Sequence, residues 1–166
     1  DIEKLLIKLS AQINISLSKE YKIGAIDKGK NVLIYSAINK MLIRFLKQEK
    51  AQIINGNKIQ ILSLETEYKV KFKIDSLKKD VMLKGKIDRV DTFNGVTRII
   101  DYKSGNIQKT DLMLYEMDQI EEKPKSLQVL FYALIYSMNN ELNEVQSGVI
   151  PLKNMSTNFM SLNYGS

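Results

Sequence analysis

The sequence predicts an α/β domain, a central mixed β-sheet flanked by α-helices. Three observations predict it. Two stretches of helical apolar spacing open the chain. Segments rich in β-formers fill its middle, from Ile59 to Lys103. A third helical stretch and two short β-rich runs close it, and helices on either side of strands are the element order of a layered α/β fold.

Ile2, Leu5, Leu6, Leu9 and Ile13 recur at helical spacing, so Ile2–Leu17 is expected as an amphipathic helix. Ser18–Lys30 is polar, holds Gly24 and Gly29, and reads as a connector. Asn31 is the expected N-cap of a longer helix ending near Lys50, carried by Val32, Ile34, Tyr35, Ile38, Leu42, Phe45 and Leu46. Lys40, Arg44, Lys47 and Lys50 line its remaining surface, which reads more readily as a solvated face than as a phosphate-facing stripe. After Gly56-Asn57, the run Ile59–Ile74 alternates, with Tyr68, Val70, Phe72 and Ile74 on one face and Glu65 and Glu67 on the other.

The stretch Lys84–Gly105, KGKIDRVDTFNGVTRIIDYKSG, carries the chemistry. Strands are expected at Val81–Asp91 and Val96–Lys103. Asn94-Gly95 between them suits a two-residue type I′ hairpin, because both residues tolerate positive φ. The register follows from that turn. Phe93 faces Val96, Thr92 faces Thr97, and Asp91 faces Arg98 as a cross-strand ion pair. Continued inward, it sets Asp88 opposite Asp101 and Lys86 opposite Lys103, with Lys103 sharing the aspartates' face and Arg89 and Asp91 on the reverse. Two lysines so placed would lower the proton affinity of one of them. Gly85 leaves room for a close approach of backbone or ligand.

Opposed carboxylates, with Cβ atoms about 5 Å apart, destabilise a sheet. A hard divalent cation relieves the repulsion, since Mg²⁺ is held by one or two carboxylates together with water and substrate phosphate. A lysine on the same face can orient or deprotonate a nucleophilic water, or stabilise developing negative charge. Two carboxylates and a lysine on one hairpin therefore point to metal-dependent phosphodiester chemistry.

Downstream, Asn106–Lys125 is polar, acidic toward its end, and expected to hold a turn of helix beside that site. Ser126 is expected to cap a helix over Leu127–Met138, with Leu127, Leu130, Phe131, Leu134, Ile135 and Met138 as its buried stripe. Gln128 and Tyr132 stand four apart, one above the other. Gly148–Leu152 and Phe159–Leu162 read as short strands around a polar turn at Lys153–Asn158.

Composition narrows the chemistry. The 166 residues suffice for one domain with a genuine core, and 44% hydrophobic with 27% charged residues is globular composition. No run approaches the ~20 apolar residues of a membrane span, so no membrane partner is expected. There is neither cysteine nor histidine, which removes disulfides, zinc fingers, iron–sulfur clusters, cysteine nucleophiles and histidine-dependent triads. Asp, Glu and Lys with an oxygen-preferring metal remain. The lack of cysteine also fits a cytoplasmic location. The net charge of +6 suits a polyanionic partner but is weak evidence alone.

GKIDRVD followed by DYKSG resembles the core of the PD-(D/E)xK nucleases, most closely the RecB/AddB-type domains, and a Q-x-x-x-Y pair downstream, here Gln128 and Tyr132, matches that resemblance. It implies a restriction-endonuclease-like core, with Asp88 and Asp101 as metal ligands for Mg²⁺ or Mn²⁺ and Lys103 as the catalytic lysine. It also favours Glu65 over Glu67 as a further acid and places Gln128 and Tyr132 against the substrate strand. DNA is the implied substrate, and residues 1–166 are expected as a single domain excised from the C-terminus of a larger helicase–nuclease, since the chain opens on Asp1 rather than Met. One departure stands out. Where such nucleases present a histidine from an upstream helix, this chain offers Leu33, Ile34 or Tyr35. Another acid could supply that ligand. The alternative expectation is a catalytically inactive module that binds DNA or a partner subunit.

Overall fold

The computed structural model describes residues 2–21, 29–74, 79–140, 142, 144–154 and 158–165. Contacts divide the chain into two compact units, Asp1–Gly56 and Asn57–Ser166.

The first unit is a pair of helices, α1 (Ile2–Tyr21) and α2 (Lys30–Ile54). Leu5 and Leu9 of α1 and Leu42, Phe45 and Leu46 of α2 line a shared apolar groove, and Lys50 Nζ lies 2.6 Å from Glu3 Oε1. Both helices outrun their expected ends. Lys19 and Gln52 are good helix formers, and no breaker follows Leu17 or Lys50. The stop of α2 comes at Asn55-Gly56, where Asn55 N–H bonds Ala51 O and Gly56 turns at φ 87°. The N-cap is Gly29 rather than Asn31, which lies inside the helix. Gly29 adopts φ 60° and ψ −141°, a conformation open to a residue without Cβ. Of the expected connector, residues 18–21 are helical and residues 22–28 lie outside the described residues.

The second unit is built on a five-stranded sheet in the order β1-β2-β3-β5-β6. Its strands are β1 (Ile59–Ile74), β2 (Lys79–Phe93), β3 (Val96–Lys103), β5 (Val145–Pro151) and β6 (Met160–Ser161). A small parallel pair, β4 (Met113–Leu114) with β7 (Asn163–Tyr164), forms a second sheet. β1–β2 and β2–β3 are antiparallel, β3–β5 is parallel, and β5–β6 is antiparallel, so the sheet is mixed as expected. The parallel pair needs a long crossover, which α3 (Pro124–Asn140) supplies.

Asn94 and Gly95 have φ of 52° and 91°, the positive values a type I′ turn requires, and the register is the expected one: Phe93–Val96, Thr92–Thr97, Asp91–Arg98. Asn94 also fastens the start of β1. Its Oδ1 accepts from Lys58 N–H and its Nδ2 donates to Asn57 Oδ1, both at 2.9 Å.

One core layer lies between the sheet and α3. Ile87, Val90, Ile99, Ile135 and Tyr136 form one cluster, and Ile107, Leu112, Val129, Val149 and Met160 the other. A Cβ on Gly85 would come 2.8 Å from Ile135 Cδ1, so this glycine admits α3 rather than a ligand. On the reverse face Asp91 is buried between Arg98, which grips it bidentately at 2.8 Å on both oxygens, and Arg89, 2.5 Å away. Arg98 also lies over the rings of Phe93 and Phe159, its Cζ 4.3 and 5.2 Å from their centroids.

The segment between β3 and α3 folds into two 3₁₀ turns, Lys109–Leu112 and Met117–Glu122. Asp111 ties it to α3. Its Oδ2 accepts from Gln108 N–H and Lys125 Nζ at 2.8 Å each, and its carbonyl accepts from Ser126 Oγ at 2.7 Å. Ser126 is therefore spent on this tether and is not the cap of α3, which starts two residues earlier at Pro124, a residue suited to a helix's first turn. Leu127, Leu134 and Met138, expected in the stripe, are exposed, whereas Ser126, Val129 and Tyr136 are buried. Residues 155–157 of the expected polar turn lie outside the described residues.

Candidate active site

The β2–β3 ladder ends at Arg89–Ile100. Beyond it the strands part: β3 continues along β5, with Asp101 opposite Val149 and Lys103 opposite Pro151, while β2 continues along β1. Asp88, Asp101 and Lys103 therefore stand at a fork. The expected Asp88–Asp101 ladder pair is not formed. Asp88 Oδ2 accepts instead from Tyr102 N–H at 2.8 Å, so a side chain closes the ladder where backbone pairing stops.

The fork coincides with a slip in alternation. Leu83, Gly85 and Ile87 face α3, and so does Val90, which breaks the two-residue period between Ile87 and Val90. Opposite that slip, between the pairs Leu64–Arg89 and Thr66–Ile87, sits Glu65, with φ 49°. Few non-glycine residues adopt positive φ, and such strain gathers at functional sites.

Asp101 is 4% exposed. Burial pushes its carboxyl above the ordinary carboxylate range, Lys103 pulls it back, and the neighbouring Asp88 charge pushes it up further. Lys103 Nζ lies 2.7 Å from Asp101 Oδ2 and donates to Gln128 Oε1, also at 2.7 Å. Gln128 Nε2 donates to Asp101 Oδ1 and to Tyr132 Oη, each at 3.0 Å. Helical spacing on α3 sets Gln128 above Tyr132, and the tether through Asp111 and Ser126 seats that helix beside the fork.

The structure thus brings Asp88, Asp101, Lys103, Gln128 and Tyr132 together. Glu65 adjoins Asp88 in strand register, but its exposed carboxylate pairs with Lys86 at 2.6 Å. Lys86 accordingly does not face Lys103 as expected, because β2 and β3 have already separated. Glu67 pairs with Lys69 at 2.7 Å. Among the described residues no group of three acids is gathered to hold a metal. Sequence reasoning missed the bridging position of Gln128, though its spacing from Tyr132 and its place after the β3 string already marked the helix face.

A divalent cation fits the two aspartates. One is buried, its ionised form is disfavoured in part by the other, and Mg²⁺-type ions are commonly held by one or two carboxylates with water completing the shell. Fold and site together define an α/β enzyme-like domain with paired carboxylates and a lysine at a sheet fork. A family profile for the PD-(D/E)XK nuclease superfamily matches residues 17–159, and the chain belongs to that superfamily. Its members are generally nucleases that use divalent metals. Comparison with curated proteins finds no match. No described helix is long and apolar enough to cross a membrane.

Proposed function

We propose that the chain is a divalent-metal-dependent DNA nuclease of the RecB/AddB type, acting in double-strand-break repair as part of a larger helicase–nuclease. The observation that carries this reading is the Asp88–Asp101–Lys103 cluster at the fork, with Lys103 2.7 Å from Asp101. Asp88 and Asp101 would hold Mg²⁺ or Mn²⁺. When bound, such an ion supplies Lewis acidity and makes water nucleophilic near neutral pH. The residues do the rest. Asp101 must lose its proton to serve as a ligand, and Lys103, held by Gln128, orients the attacking water or neutralises charge on the scissile phosphate. Glu65 would join the site by leaving Lys86. Gln128 and Tyr132 would also meet the strand.

The test is cleavage of end-labelled single- and double-stranded DNA at low salt with Mn²⁺, Mg²⁺ or EDTA, with Lys103→Ala alongside. Metal-dependent cutting that disappears in the variant supports the reading. The second reading, an inactive module, draws on the gathering of two acids rather than three and on the absence of histidine. It predicts no cutting and no rise in melting temperature with Mn²⁺.

A further inference from the structure

The β1–β2 hairpin runs well past the part of the sheet that β3 supports. β2 pairs with β3 from Arg89 to Phe93, whereas its pairing with β1 continues out to Ile74–Lys79. At about 3.3 Å per residue, the stretch from Asp88 to Lys79 projects roughly 30 Å. This arm has two distinct faces. Tyr68, Val70, Leu83 and Gly85 turn toward α3. Alternation sends Lys69, Lys71, Lys73, Lys84 and Lys86 to the opposite face, where all five are exposed.

The register places Lys69 directly opposite Lys84. Like charges in that position destabilise a sheet, so the arm carries a repulsion that an anionic occupant would relieve. The acids of this face offset part of it: Glu65 takes Lys86 and Glu67 takes Lys69. Among the described residues Lys71, Lys73 and Lys84 form no close ion pair, although Asp80 lies opposite Lys73 and Glu67, bonded to Lys69, also attracts Lys84. Exposed lysines spaced at alternate strand positions are mobile point charges without base-reading geometry. They suit sequence-independent contact with phosphates.

We propose that this lysine face, on the side of the arm turned away from α3, is a track for the phosphate backbone of a nucleic-acid strand that reaches the fork from its Asp88 edge rather than from the α3 side, where Asp101 and Lys103 bond Gln128. The assignment rests on the nuclease reading for its ligand class. It commits to nucleic acid over an acidic protein because the face starts two residues from Asp88.

The test is fluorescence anisotropy of a labelled single-stranded oligonucleotide with the full chain in EDTA, so that binding is read without cleavage. The wild type is compared with Lys71→Gln/Lys73→Gln/Lys84→Gln across a salt series. A second triple variant, Lys40→Gln/Arg44→Gln/Lys47→Gln on α2, makes the same change in net charge elsewhere. Loss of three phosphate contacts, at about 0.7 each for a single strand, lowers the slope of log K against log salt by about 2. The affinity near 0.1 M salt then falls on the order of a hundredfold, while the α2 variant stays close to the wild type.

An unchanged slope in the arm variant, an equal loss in the α2 variant, or no oligonucleotide binding by the wild type would overturn the proposal. Melting temperatures keep the comparison sound. Lys84→Gln alone should melt at or above the wild type at low salt, and serves as the binding variant if the triple change disturbs folding. Failure of the two readings is separable. Cutting with Mn²⁺ but an unmoved salt slope removes the track alone, and a shifted slope without cutting removes the nuclease alone.

Discussion

Lys103 donates to Gln128 Oε1 at 2.7 Å while the same amide donates to Asp101 Oδ1 at 3.0 Å, so one side chain of α3 holds both β3 residues of the site. That geometry makes Gln128 a positioning residue before any strand arrives. Gln128→Ala frees the lysine, and a displacement of about 1 Å in a reacting group can cost about a hundredfold in rate. We expect kcat to fall ten- to a hundredfold, with a smaller rise in KM from the lost contact to the strand. A raised KM with kcat intact would instead assign Gln128 to holding the substrate.

Asp101 gives a pH signature. Burial raises its folded pKa above the ordinary 3.8. A raised pKa means that the folded state binds the proton more tightly, so this contribution to stability is complete below the unfolded value and lost as pH rises through the folded one. At neutral pH without metal, the ionised group is a liability. Asp101→Asn should therefore melt above the wild type at pH 7 in EDTA, and the gap should close as pH falls toward 4. With Mn²⁺ the order should reverse, because the wild type gains a ligand that the amide lacks. Calorimetry at several pH values, with and without metal, reads both outcomes.

The hairpin was legible because its determinants are local. Asn94-Gly95 fixed its own backbone at positive φ, and the register then followed pair by pair to Arg89–Ile100. The reading failed where β3 leaves β2 for β5, since that divergence depends on a partner strand more than forty residues downstream of the turn. Extrapolating the ladder past that point gave the wrong partners for Asp88 and Lys86. Cap positions failed for a related reason. Ser126 looks like an N-cap until Asp111 claims its hydroxyl, and Gly29 takes the role from Asn31 through a conformation, not a side chain. Helix existence followed from periodicity, but the buried stripe of α3 turned toward Val129 and Tyr136 because Val129 packs with Ile107, Leu112, Val149 and Met160 while Tyr136 packs with Ile87, Val90 and Ile99, partners that only the folded sheet brings together.

Glu65 separates stability from activity. At φ 49° a side chain with Cβ costs about 1–2 kcal/mol in backbone strain that glycine avoids. Glu65→Gly should therefore raise the urea midpoint, less whatever its exposed contact with Lys86 contributes. If Glu65 completes the metal site, the same variant should lose most Mn²⁺-dependent cleavage. A stabilised variant with full activity would remove Glu65 from the site.

The buried triad on the reverse face should govern folding more than chemistry. Asp91 is fully buried, and its two oxygens take Arg98 on both and Arg89 on one. Removing the acid leaves two guanidinium groups in the core without their countercharge, a class of change that costs about 3–5 kcal/mol. Asp91→Ala should lower unfolding free energy by about that much, enough to unfold a marginal domain at 37 °C. Arg98→Met is the informative partner, since it keeps apolar contact with Phe93 and Phe159 and leaves Arg89 to neutralise Asp91. It should lose clearly less than Asp91→Ala in urea titrations. Equal losses would mean that the bidentate Arg98 contact, rather than charge balance, holds the two strands together.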